Sequence, residues 1–241
     1  MVYKTMQLVD HIFILLLFAV LPFYGAWSFK KYLKQVAAGA PPNRVRLYQQ
    51  TLVMQWVAFA AVAVAWTMLG RPAADLGFTA SSTLQISLGA SVVALVTAYL
   101  LYAWQAAGRM TEEEKSTAAE GLGALVHFLP QDNRDYRHFV GVSITAGIVE
   151  EFLYRGFAFW YLAHFMPMWA VVLVSSIAFG LGHTYQGAGG VMRVALAGVA
   201  FGALYIFTGS IWLPMLAHVV LDILQGASVL EILRKEPASS R

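Results

Sequence analysis

Residues 146–157 read AGIVEEFLYRGF, an apolar run interrupted by Glu150, Glu151 and Arg155. On insertion scales each charged side chain at the centre of a membrane helix costs about 2.5–3.5 kcal/mol. Three in one helix are tolerated only if they face the interior of a helix bundle or a polar cavity. Working outward, the rest of the chain reads as such a bundle. Of its 241 residues, 59% are hydrophobic and 12% charged, about half the charge of an average soluble domain. Apolar runs near 20 residues match the thickness of a bilayer's hydrocarbon core.

Seven spans are expected, at about 7–29, 47–69, 85–106, 138–162, 167–185, 190–208 and 211–232. The fifth is short enough to reach only partway across. With one further helix in the connection at 107–137, the fold class is all-α, a polytopic transmembrane bundle of seven to eight helices in a single membrane domain, 1–241. In that connection, Thr111 with Glu114 three residues later is a capping-box pattern, which predicts a solvated helix start, and PQDNRD predicts a turn. Gly187, Gly189 and Gly190 predict a loop before the sixth span. KEPASSR at the C-terminus predicts a disordered tail.

The basic residues fix an expected orientation. Lys30, Lys31, Lys34, Arg44, Arg46, Arg109, Lys115, Arg134, Arg137, Arg193, Arg234, Lys235 and Arg241 fall on one side of a seven-span arrangement, against Lys4 and Arg71 on the other. The positive-inside rule puts the C-terminus in the cytoplasm and the N-terminus outside; in a bacterium this is the inner membrane. There is no cysteine, so disulfides and thiolate metal sites are excluded. The basic residues lie in short loops rather than on one face, which argues against a nucleic-acid partner.

Helical spacing gives the buried charges different roles. Glu151 and Arg155, at i and i+4, share a face and can pair. Glu150 lies about 100° round the helix and has no local partner, which makes it the candidate general base. FGLGH sets Phe179 and His183 on one face of the fifth span, and HVVLD sets His218 and Asp222 on one face of the seventh. A Glu and a His can polarise a water, while a second His with a polar partner steadies an oxyanion. Zinc is not favoured as a cofactor because HExxH is absent, although His183, His218 and a carboxylate are acceptable ligand types. A structural polar cluster, an immunity or scaffolding protein, and a transporter are the other readings. The lack of an inverted repeat weighs against the transporter.

The ordered set EExxxR, FxxxH and HxxxD resembles the CPBP family (Abi family) of intramembrane proteases, which includes the CAAX prenyl protease of the Rce1 type and bacterial relatives. The resemblance is strong over about 138–230, and RPAADLGFT at 71–79 is a weaker match. It implies that Glu150 and His183 activate the water, that His218 and Asp222 form the oxyanion hole, and that Glu151 and Arg155 support the site, with Phe179 part of the second motif. It also implies an endopeptidase acting without a covalent intermediate on a peptide or membrane-anchored substrate, of which a C-terminally prenylated CAAX-type protein is one class. Where eukaryotic-type members favour Asn, this chain has Asp222. An ionised carboxylate repels an oxyanion, so Asp222 is expected either to be protonated or, preferably, to orient His218 through a hydrogen bond.

Overall fold

The computed structural model describes residues 6–79 and 82–234. Lys4 and the tail 235–241, with the disorder expected there, lie outside the described residues. Eight helices account for the architecture among the described residues: α1 (Leu8–Ala37, with a π-helical turn at Leu16–Val20), α2 (Arg44–Met68), α3 (Thr83–Ala107), α4 (Glu112–Leu122), α5, α6 (Met168–Leu181), α7 (Gly187–Thr208) and α8 (Trp212–Leu233). Helix α5 runs continuously through Asn133–Glu151, a π-helical stretch Phe152–Ala158, and Phe159–Leu162. The chain is an integral membrane protein: α1, α2, α3, α7 and α8 are each long and apolar enough to cross a bilayer.

Two of the seven expected spans differ. Helix α5 is long but is not among the five strongly apolar helices, because it carries Glu150, Glu151 and Arg155 as well as Arg134, Asp135 and Arg137 near its start. Helix α6 ends at Leu181 rather than near 185 and has only 14 residues, about 21 Å at 1.5 Å per residue. Gly187, Gly189 and Gly190 do not form a loop: they begin α7, after a 3₁₀ turn at Thr184–Gln186. Gly187 alone needs a left-handed backbone, with φ of 76°.

Local chemistry sets the helix starts. Thr111 and Glu114 form the expected capping box at α4. The turn PQDNRD delivers Asp132 as N-cap of α5, its side chain accepting from the Asp135 N–H at 2.8 Å.

Close packing then places α5 at the centre. It packs on α2 and α8, while α6 packs on α7 and α3 on α8. At Gly147 a Cβ would stand 2.9 Å from the Val219 backbone nitrogen and 3.0 Å from the Met215 carbonyl oxygen. Only glycine allows α5 and α8 to approach this closely, as small residues do at membrane helix interfaces. The apolar core between the helices is formed by Val149, Phe152, Leu153, Phe157, Phe179, Ile211 and Met215 with Val62 and Trp66 of α2. Large side chains such as Phe23, Val53, Leu95, Trp169 and Trp212 remain exposed on the outside, as expected of surfaces that face lipid.

A second buried charge pair stands apart from the motifs. Arg71 donates from Nη1 and Nη2 to the two oxygens of Asp10, each at 2.7 Å. Its guanidinium lies 5.1 Å from the Trp66 ring and 4.4 Å from the Trp160 ring. The pair ties α1 to the connection after α2. The rest of RPAADLGFT docks alongside, with Leu76 in the core and the Gly77 carbonyl accepting from the Ile211 N–H. The neighbouring His11 is bonded through Nδ1 to the Tyr161 hydroxyl at 2.7 Å.

Candidate active site

The π-helical stretch that begins at Phe152 follows directly on the two glutamates, and such stretches are frequent at functional sites. Glu151 and Arg155 are both fully buried. Arg155 Nη1 donates to Glu151 Oε1 at 2.7 Å, and its Nη2 donates to the Gly198 carbonyl of α7 at 3.0 Å. The guanidinium also lies 4.6 Å from the Phe179 ring and 5.5 Å from the Phe201 ring. Contacts of this kind offset part of the desolvation of a buried cation.

Glu151 Oε1 has a second partner. His218 Nδ1 lies 2.9 Å from it, and since an ionised carboxylate only accepts, the ring nitrogen is the donor. The tautomer of His218 is therefore fixed by α5. The hydrogen bond expected from Asp222 is not formed: His218 Nε2 and Asp222 Oδ2 are 3.6 Å apart, too far for one. Glu151 holds the ring instead, and Asp222, on the same helix face one turn on, stands near its other nitrogen. Asp222 is within Coulombic reach of Glu150 and His183 as well.

His183 lies just beyond α6 rather than on it, past the C-cap Gly182. Its Nδ1 still reaches back one turn to the Phe179 carbonyl, at 2.9 Å. A carbonyl can only accept, so Nδ1 is the donor. Phe179 stands between the two histidines, its ring centroid 5.0 Å from that of His183 and 5.9 Å from that of His218.

Glu150 is not without a partner. Its Oε1 accepts from Gln55 Nε2 of α2 at 2.7 Å, while its Oε2 is buried with no donor from the protein. Glu150 and His183 line one cavity of about 1120 Å³. Its far wall is built by α1 and α2, with Leu21, Trp27, Met54 and Ala58 among the apolar lining and Lys31, Arg46 and Gln50 among the polar. His218 and Asp222 are not on that lining. The structure thus groups the predicted residues in two layers: Glu150 and His183 at the cavity, and Glu151, Arg155 and His218 in a bonded cluster behind them, with Phe179 touching both. Gln55 was missed in the sequence. The signal was present, since LVMQWVAF places a lone amide in the middle of an apolar span.

The arrangement sets a carboxylate and an imidazole at one cavity, a pair of residue types suited to proton abstraction from a water. Among the described residues, no group of three or more His, Asp or Glu is arranged to hold a metal ion.

Residues 134–224 match a protein-family model described as type II CAAX prenyl endopeptidase, Rce1-like. The matched segment contains every motif residue from Glu150 to Asp222, but not α1 and α2, which supply the far wall of the cavity. No curated protein gives a significant match, and no solved structure does.

Proposed function

From the match of residues 134–224 to a family model described as type II CAAX prenyl endopeptidase, Rce1-like, we propose that the chain is an intramembrane endopeptidase using a water activated by Glu150 and His183. The observation that carries the reading is the shared cavity. Glu150, whose buried Oε2 has no donor from the protein, lines it from α5, and His183 lines it from the turn after α6.

In this mechanism Glu150 Oε2 takes a proton from the water as the oxygen forms its bond to the scissile carbonyl carbon. The same proton then passes to the amine as the C–N bond breaks, so water is consumed and no acyl-enzyme forms. His183 flanks the water at the same cavity and sets its position relative to the scissile carbonyl. The family resemblance gives the oxyanion-stabilising role to His218, whose ring Glu151 holds, with Asp222 standing 3.6 Å from its Nε2.

The substrate class follows from the family and the cavity wall. A membrane-anchored peptide, with a C-terminally prenylated CAAX-type protein as the leading case, would lay its apolar anchor along Leu21, Trp27, Met54 and Ala58 and bring a backbone carbonyl to Glu150. The positive-inside pattern supports a cytoplasmic C-terminus, with cleavage near that face.

The test is cleavage of a fluorogenic prenylated peptide by purified protein in liposomes. Glu150→Gln and His183→Ala should each lower kcat by about 100-fold or more, the usual worth of general base catalysis. Dialysis against a chelator should leave the rate unchanged. A Glu150→Gln protein that cleaves as fast as the unmodified one would overturn the reading in favour of a scaffolding or immunity role.

A further inference from the structure

We infer that Gln55 is a positioning residue of the hydrolytic site, setting the geometry of Glu150 and of the water it deprotonates. The inference rests on the proposed function above and concerns a residue outside the matched domain.

Gln55 sits midway along α2, between Met54 and Trp56. An amide at that depth is unfavourable in lipid unless it is bonded, and Gln55 is turned inward to the cavity. Its Nε2 donates to Glu150 Oε1 at 2.7 Å across 95 positions of sequence. A carboxylate accepts only, so the amide must present its nitrogen. That fixes the orientation of the amide and leaves its carbonyl oxygen on the other side. Gln55 Oε1 and Glu150 Oε2 are both buried, and neither has a donor from the protein.

Buried acceptors without donors are unfavourable. Together they match a ligand with two hydrogens, which is what water is. With Oε1 of Glu150 occupied by Gln55, only Oε2 is available as base. The water gives one hydrogen to Glu150 Oε2, where it is transferred, and directs the other to Gln55 Oε1, where it is retained. Its lone pair is then turned toward the scissile carbonyl. Gln55 thus acts through Glu150 and the water and exchanges no proton itself.

The experiment compares Gln55→Met, Gln55→Asn and, on α3 away from the cavity, Gln105→Leu, in the liposome cleavage assay with the unmodified protein and Glu150→Gln alongside. Gln55→Met preserves side-chain volume and removes both polar atoms. It should lower kcat by about 100-fold, the effect of roughly 1 Å of misplacement at a reacting group, with KM within about threefold, in protein shown to be folded at the assay temperature. Gln55→Asn keeps both groups on a shorter stem and should fall between the two. Gln105→Leu should leave kcat unchanged. Folded Gln55→Met with unaltered kcat would overturn the inference, and so would a loss in both Gln55 variants that only follows a fall in melting temperature. Equal rates for Glu150→Gln and the unmodified protein would instead remove the catalytic reading itself, and this inference with it.

Discussion

Glu151 Oε1 is shared by two donors from different helices, Arg155 Nη1 at 2.7 Å and His218 Nδ1 at 2.9 Å. One oxygen of α5 thereby couples the stability of the bundle to the orientation of a site imidazole on α8. The coupling separates the two functions of the pair experimentally.

Arg155→Met should strongly destabilise the protein, by about 3–5 kcal/mol, because it leaves Glu151 buried with an uncompensated charge. Replacing both partners, Glu151→Leu with Arg155→Met, should recover much of that stability and none of the cleavage, since His218 loses its acceptor. Thermal unfolding in detergent together with the peptide assay gives both readouts. Recovered cleavage in the double variant would show that Glu151 has no part in holding His218.

The Asp10–Arg71 pair predicts the opposite pattern. Arg71→Met should lower stability by a similar 3–5 kcal/mol, because Asp10 is only 1% exposed. Neither residue touches Glu150, His183 or His218. At temperatures where the variant stays folded, kcat should remain within about twofold of the unmodified value, since effects of distant sites are independent.

Gly147→Val probes the approach of α5 to α8. The added side chain meets Val219 and the Met215 carbonyl, and overpacking of this kind costs about 1–3 kcal/mol or more. Spreading the two helices also draws His218 away from Glu151. A loss of kcat exceeding that explained by the unfolded fraction is expected, measured after correcting for folded protein.

The start of α4 carries a pH dependence outside the membrane spans. The Thr111 backbone N–H and hydroxyl bond to Glu114 and hold its carboxylate below the usual value of 4.5. A lowered value in the folded state means that its contribution is complete above the unfolded value and is lost as the pH falls through the folded one. Amide protection in the first turn of α4 should therefore hold from pH 7 down to about 5 and decline below about 4.5. Thr111→Val should abolish that decline.

Much of this site was legible because its parts are local. The Glu151–Arg155 pair is an i, i+4 relation within one helix, and the Thr111–Glu114 cap spans a single turn, so spacing alone identified both. What spacing does not carry is the identity of partners on other helices. Glu150 looked solitary because its partner, Gln55, lies on α2, and no local spacing pairs Asp10 with Arg71, 61 positions away. The expected Asp222–His218 bond failed for the same reason: the i, i+4 partner was visible, but Glu151 from α5 competes for the ring and takes its Nδ1. The early end of α6 and the start of α7 at Gly187 depended on packing, since Gly180 lies against Val191 and Ala195 of α7.

The brevity of α6 bears on how a hydrolase inside a lipid sheet obtains its second reactant. A rod of about 21 Å beside an acyl region of about 30 Å leaves a mismatch that lipid tails relieve by shortening locally. The 3₁₀ turn at Thr184–Gln186 follows that rod, so a sheet thinned beside it would give the bulk phase a shorter route to the His183 turn than a full-length helix allows.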